Sequence, residues 1–219
     1  MPVRLMTILL SAFLFTGAVP DCALEPEEVP ESTGITDADS GSNPFSIAWI
    51  SDTQGCAYHK GEYGKIAEWI AENREEFNIR YVVGTGDYVG KGTLSGQWDE
   101  FDSFVEGIGD IPNFFVAGNH DIENLEKNPA EALSRMDRIT TKIPESQKYK
   151  DGIGKYELFS ENGMDYIIIG LSYGYWTEEI EWAQGVLAQY PERKGIFLFH
   201  NFMAPSGSLL SQAEGWSKS

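Results

Sequence analysis

Four polar residues, each able to bind a metal ion through an oxygen or an imidazole nitrogen, follow short apolar runs of the sequence. They are Asp52, Asp87, Asn119 and His200. A single Asp or Asn at such a position is most often a turn residue, and a single His is most often structural. Four donors after four apolar runs indicate more than turns, because carboxylate, amide and imidazole groups together suit divalent ions such as Mn²⁺, Fe²⁺ or Zn²⁺. The sequence therefore predicts a metal site, and its lack of clustered Cys argues against structural zinc.

Strands and helices must alternate to bring these donors together. Residues 45–51 (FSIAWIS), 79–85 (IRYVVGT) and 113–117 (NFFVA) have the composition of buried strands, and apolar residues recur at helical spacing between them. This βαβαβ order predicts parallel strands joined by right-handed crossovers. Ligands of open α/β sheets bind outside the carboxyl ends of the strands, which is where the first three donors lie.

The second half of the chain continues the alternation. Asn128 and Glu131 flank a Pro in the pattern of a helix N-terminus with a capping box. Residues 162–163 (Asn-Gly) separate two β-rich runs and predict a hairpin. A last helix is followed by the apolar residues 195–199 (GIFLF), which end at His200. The sequence therefore predicts an α/β domain.

The charge balance restricts the partners of this domain. The 219 residues contain 16 Lys plus Arg and 34 Asp plus Glu, a formal net charge of −18. Nucleic acids are bound mainly through Lys and Arg, so we expect no nucleic-acid-binding surface. The same repulsion disfavours anionic membranes. A site for phosphate in this chain would need added cations.

The first 44 residues differ from the rest. Residues 1–20 place Arg4 before an apolar run and small residues, the pattern of a secretory signal peptide, with an uncleaved membrane anchor as the alternative. Residues 21–44 contain seven acidic residues and no Lys or Arg, which predicts a solvated linker before a domain at residues 45–219. We expect export to the periplasm, the cell surface or the medium. Lipidation of Cys22 is less favoured, and its spacing from Cys56 does not require a disulfide.

Four short motifs carry a family resemblance. They are residues 51–54 (SDTQ), 86–89 (GDYV), 118–121 (GNHD) and 199–201 (FHN). In this order they resemble the calcineurin-like metallophosphoesterases, in the branch with Asp-x-Gln where most members have Asp-x-His. The resemblance runs from about residue 45 to the C-terminus. It implies a four-layer double β-sandwich flanked by helices, with a dinuclear metal centre at one edge.

The resemblance also implies a role for each donor. Asp52 and Gln54 would bind the first divalent ion, Asp87 would bridge both ions, and Asn119 and His200 would bind the second. The ions would be Mn²⁺, Fe²⁺, Mg²⁺ or Zn²⁺, and they would activate a bridging water to hydrolyse a phosphate ester.

Two further residues of the third motif would act on the substrate rather than on the metals. By the same resemblance, His120 would be the general acid that protonates the leaving oxygen. Asp121 would orient His120 by accepting its other ring hydrogen. A Gln at position 54 offers a neutral carbonyl oxygen in place of imidazole, so we expect weaker binding at the first site and a preference for Mn²⁺ or Mg²⁺ over Zn²⁺.

The sequence departs from the family pattern in two places. Gly90 stands where many relatives have Asp or Asn at the end of the second motif. A Gly-His-x-His motif that would complete both metal sites does not occur after His200. We therefore expect a domain that is incomplete at its C-terminus and hydrolyses esters poorly, or a non-catalytic exported surface domain that retains the scaffold.

Aromatic residues near the motifs leave two interpretations open. Tyr58 and His59 follow the first motif and either contact substrate or form a surface loop. Residues 173–176 (YGYW) either stack on a nucleobase or pack on the sandwich.

Overall fold

The first strands and helices form a parallel sheet, as the alternation of apolar runs predicts. The computed structural model describes residues 4–7, 44–125, 127–140, 142–174, 177–202 and 208. Sheet one consists of β1 (Arg4–Thr7), β2 (Ser46–Ile50), β3 (Ile79–Gly84) and β4 (Asn113–Phe115). The strands are parallel and neighbours in that order. Helices α1 (Glu62–Glu72) and α2 (Ser95–Gly107) connect β2 to β3 and β3 to β4.

Sheet two is mixed. Its strands are β5 (Lys148–Tyr149), β6 (Gly154–Glu161), β7 (Met164–Leu171) and β8 (Lys194–Phe199). The predicted hairpin joins β6 to β7, and both turn residues, Asn162 and Gly163, have positive φ angles of 54° and 73°. Such angles match a two-residue hairpin turn. Helix α5 (Thr177–Leu187) then leads to β8, which pairs in parallel with β7.

The two sheets pack face to face between helices. Alternate residues of β2 and β3 point to opposite sides: Ile47 and Val83 pack toward the second sheet, and Ala48 and Val82 pack toward α1 and α2. On the far side of sheet two, Ile167 of β7 lies in a cluster with residues of α5. Because both faces of the strands are buried, the strands read as nearly continuous apolar runs. The predicted α/β fold with four layers is confirmed.

One predicted helix divides into two. Helix α3 (Pro129–Ser134) and helix α4 (Met136–Thr140) replace the single helix expected there. Asn128 is the N-terminal cap, but its side chain does not accept a backbone hydrogen bond; its amide nitrogen donates to Glu131 Oε2 at 2.7 Å. The capping-box residues therefore contact each other instead of the backbone.

The N-terminal segment shows one feature beyond the sequence-based expectation. Arg4–Thr7, within the segment interpreted as a signal peptide, pairs in parallel with β2. Residues 8–43, including Cys22, lie outside the described residues, so the signal peptide and the linker remain predictions. Within the described ranges, no helix is both long and apolar enough to cross a bilayer.

Candidate metal centre and active site

The first two donors lie at the carboxyl ends of the adjacent strands β2 and β3. The backbone N–H of Asp52 donates to the carbonyl of Gly86 at 3.0 Å, and that of Thr85 donates to Ile50 at 3.1 Å. Both Asp52 and Asp87 have positive φ angles, 53° and 57°. Asp tolerates this left-handed conformation better than most residues. The chain therefore turns sharply after each strand.

Asp87 is the centre of the site. It is buried, and its Oδ1 accepts the backbone N–H of His120 at 3.0 Å and lies 3.6 Å from His200 Nε2. Its Oδ2 lies 4.0 Å from His120 Nε2. Burial raises the pKa of the Asp87 carboxyl; the two imidazoles oppose this rise, and the charge of Asp52 adds to it. A carboxylate in this setting is stabilised by nearby positive charge.

His200 and Asn119 meet beside Asp87. The Nδ1 atom of His200 lies 2.8 Å from the carbonyl oxygen of Thr85. When Nδ1 carries the proton and donates it to this carbonyl, the lone pair of Nε2 is directed at Asn119 Oδ1, 3.0 Å away. Two acceptor atoms that face each other at this distance are satisfied by a cation, and a backbone carbonyl behind the imidazole is the usual support for a metal-binding His.

Gln54 supplies a second observation that favours a metal. Its Oε1 atom is buried and has no hydrogen-bond partner. Buried amide oxygens are rarely left without one. Asp52, two residues earlier, is exposed and accepts a hydrogen bond from Ser51 Oγ at 2.5 Å.

The donor set as a whole fits divalent ions. Within the described part of the chain, no three His, Cys, Asp or Glu side chains form a metal site by themselves. The group that converges relies instead on the amide oxygen of Asn119 beside Asp87 and His200, with that of Gln54 on the neighbouring turn. Hard oxygen donors with one imidazole suit Mn²⁺ or Mg²⁺.

Asp121 differs from the sequence-based expectation. Its buried carboxylate accepts hydrogen bonds from four backbone N–H groups: those of Asp87 (2.8 Å), Tyr88 (2.9 Å), Val89 (3.1 Å) and Gly118 (2.7 Å). Burial raises its pKa to about 7, although these hydrogen bonds oppose the rise. The expected role as the acceptor for the His120 ring is therefore corrected: both carboxylate oxygens are used to join the second motif to the third.

A backbone carbonyl orients His120 instead. His120 Nδ1 lies 2.8 Å from the carbonyl oxygen of Gly90, and its side chain is 43% exposed. Gly90 has no side-chain carboxylate or amide, and the hydrogen bond is accepted by its backbone carbonyl oxygen. The sequence singled out Gly90 as a departure but did not reveal this role.

Two glycines permit the motifs to approach each other. A β-carbon on Gly118 would lie 2.0 Å from Asp87 Oδ1, and one on Gly86 would lie 2.4 Å from the backbone nitrogen of Gly118. Gly86 also has a φ angle of 103°, which residues other than glycine rarely adopt. In the sequence, this close approach was indicated only by the position of the two glycines directly before Asp87 and Asn119.

A buried hydroxyl network supports the first two motifs. Thr53 Oγ1 lies 2.7 Å from the hydroxyl of Tyr63 on α1, and this hydroxyl donates to the carbonyl of Tyr88 at 2.6 Å. Helix α1 thus connects the turns that follow β2 and β3. The apolar spacing of α1 indicated that Tyr63 is buried, but it did not indicate this contact.

Comparisons with known proteins agree with the fold and identify the family. Residues 45–214 match the family model described as Calcineurin-like phosphoesterase. The "Uncharacterized protein YvnB" of Bacillus subtilis (strain 168) is 34% identical over 174 residues, which are 75% of this chain and 13% of YvnB. The chain therefore spans only a small part of that curated relative.

Two solved structures are similar to this chain at low identity. Purple acid phosphatase from yellow lupin (Lupinus luteus) seeds is 18% identical with a TM-score of 0.50, over 76% of this chain and 33% of that one. NAD nucleotidase from Haemophilus influenzae is 16% identical with a TM-score of 0.47, over 71% of this chain and 34% of that one. The first of these supports the fold alone.

Proposed function

Because the chain belongs to the calcineurin-like phosphoesterase family, we propose that it hydrolyses a phosphate ester with the help of two divalent metal ions. Asp52, Gln54, Asp87, Asn119 and His200 would bind the ions. The observation that carries this proposal is the meeting of His200 Nε2 with Asn119 Oδ1 at 3.0 Å and with Asp87 Oδ1 at 3.6 Å. When bound, the ions would neutralise phosphate charge and make water more acidic.

We further propose that His120 delivers a proton to the leaving oxygen. Its Nδ1 donates to the carbonyl of Gly90, so Nε2 is the ring atom available for proton transfer. Nε2 lies 4.0 Å from Asp87 Oδ2, on the side of the metal donors, and the half-exposed ring is accessible to a ligand.

The substrate belongs to the class of phosphate esters. With a net charge of −18, the chain repels anions, so the two cations would also be needed to attract the substrate. Export through the N-terminal segment is a separate proposal, and the signal-like pattern of residues 1–20 supports it.

Hydrolysis of bis(p-nitrophenyl) phosphate and of an alkyl phosphodiester, with Mn²⁺ or with a chelator, tests the proposed reaction. We expect Mn²⁺-dependent turnover. His120→Ala should lower kcat for the alkyl ester about 100-fold and for the nitrophenyl ester less, because nitrophenolate leaves without a proton. His59→Ala is the matched control, since His59 is an exposed His outside the donor set. Equal losses for both esters would contradict the role of His120.

Metal binding provides a readout that does not depend on turnover. We expect His200→Ala to weaken Mn²⁺ binding about 10–100-fold in a calorimetric titration, and His59→Ala to leave it unchanged. Unaltered Mn²⁺ affinity in His200→Ala would contradict the assignment of the ligands.

A further inference from the structure

The ring of Tyr58 occupies the space where a side chain at position 90 would be. A β-carbon on Gly90 would lie 2.1 Å from the hydroxyl oxygen of Tyr58 and 2.5 Å from its Cε2 and Cζ atoms. These are the three nearest atoms to that position. Tyr58 and Gly90 are therefore complementary in shape, and any larger residue at position 90 displaces the ring.

A short, firmly packed turn places this ring. Residues Cys56–Tyr58 form a single 3-10 turn that follows Gln54. Cys56 and Ala57 are buried in the core, and the N–H of Cys56 donates to the carbonyl of Thr53 at 2.9 Å. Tyr58, next in the chain, is 54% exposed. The turn thus presents a partly exposed ring that extends from the first motif to the second.

Gly90 also connects Tyr58 to His120. Its carbonyl oxygen accepts the hydrogen bond from His120 Nδ1 at 2.8 Å, while its α-carbon lies against the Tyr58 ring. Tyr58 and His120 are therefore neighbours across one residue. Both rings lie next to Gly90, and both are partly exposed.

We propose that Tyr58 is a specificity-determining residue that forms the wall of the substrate site beside His120 and contacts the leaving group of the ester. This inference rests on the proposed function, in which His120 faces the leaving oxygen. A partly exposed aromatic ring favours planar, aromatic partners, since such rings gain energy from stacking beyond the area they bury. The chain should therefore prefer phosphate ligands that carry an aryl group over those that carry a small alkyl group.

Binding of two ligands that cannot be hydrolysed tests this preference without turnover. Phenylphosphonate and methylphosphonate carry their organic group on a P–C bond. In the presence of Mn²⁺, we expect the wild-type chain to bind phenylphosphonate about 5–10-fold more tightly by calorimetry. Tyr58→Ala should reduce this ratio to about 1, and Tyr58→Phe should retain it because the ring remains. An unchanged ratio in Tyr58→Ala, or no preference in the wild type, would overturn the inference.

Phe77→Ala is the matched aromatic control. Phe77 is 37% exposed and precedes β3, so it lies at the amino ends of the strands, opposite the site. The binding ratio should not change in this variant. Binding with the expected ratio but no hydrolysis would refute the proposed reaction, while the contact between Tyr58 and the organic group of the ligand would stand; hydrolysis with no difference in the ratio between wild type and Tyr58→Ala would refute the role of Tyr58 alone.

Discussion

The buried carboxylate of Asp121 lies 2.8 Å from the backbone nitrogen of Asp87, a residue 34 positions earlier in the chain. The same carboxylate binds the backbone nitrogen of Gly118 at 2.7 Å. One side chain thereby joins the loops after β3 and β4 and sets the position of Asp87, the carboxylate proposed to bridge the two metal ions. The positioning of Asp87 thus depends on an acid whose two oxygens accept hydrogen bonds from the backbone.

Asp121→Asn should strongly destabilise the chain. An amide has one acceptor oxygen, and its NH₂ group would face backbone N–H donors that then lose their partner. We expect the free energy of unfolding to fall by about 2–4 kcal/mol in urea denaturation. Asp110→Asn removes an ion pair with Arg74 from a side chain that is 84% exposed, and it should cost little. Similar losses in the two variants would argue against the role of Asp121.

Gly118→Ala should disturb the site through the backbone. Its β-carbon would lie 2.0 Å from Asp87 Oδ1 and 2.4 Å from Asp87 N, so the second motif must move. We expect a loss of roughly 2 kcal/mol in stability and weaker Mn²⁺ binding. Gly185→Ala is the matched control, because a β-carbon there meets nothing within 4 Å and the residue lies in helix α5. Gly185→Ala should raise the free energy of unfolding by about 0.5–1 kcal/mol, because Ala loses less backbone entropy than Gly in a helix.

Gln54→His should change metal preference. Imidazole is a softer and stronger donor than an amide oxygen, so the variant should bind Zn²⁺ about 10-fold more tightly than the wild type while Mn²⁺ affinity changes less. Gln54→Leu, which removes the buried Oε1 atom, should weaken binding of both ions. Competition with a chromogenic chelator measures these affinities. Tight zinc binding by the wild type would refute the prediction.

Lys155→Met should stabilise the chain in a pH-dependent way. Lys155 is fully buried on β6, its Nζ has no hydrogen-bond partner, and it lies 5.4 Å from the ring of Phe114. Burial, with help from Lys148, lowers its pKa from 10.5 to about 7, and Glu157 opposes this shift. The folded chain therefore binds fewer protons than the unfolded chain between pH 7 and pH 10.5.

Stability should increase with pH while Lys155 loses its proton. The free energy of unfolding of the wild type should rise with pH across that window, since the penalty for a buried charge disappears. The increase in the free energy of unfolding caused by Lys155→Met should be about 2–4 kcal/mol below pH 7 and should become smaller toward pH 10. Lys194→Met, at the exposed start of β8, should show no such trend. A gain from Lys155→Met that is constant with pH would contradict the prediction.

The types of the proposed metal donors, and their places at the strand ends, could be predicted from the sequence. Asp52, Asp87 and Asn119 each come after a local apolar run, and a parallel sheet brings such ends to one edge. The hairpin at Asn162 and Gly163 could also be predicted, because the turn depends on the positive φ angles of these two residues alone.

The groups that support these residues are set by tertiary packing. Asp121 binds backbone around position 87 instead of the adjacent imidazole, the carbonyl of Gly90 orients His120, and Tyr58 covers Gly90. Each contact joins segments about 30 residues apart or more, and two of them use backbone atoms, which carry no signature of residue type. Such pairings depend on how the loops pack after the sheet has formed, so periodicity and motif spacing could not predict them.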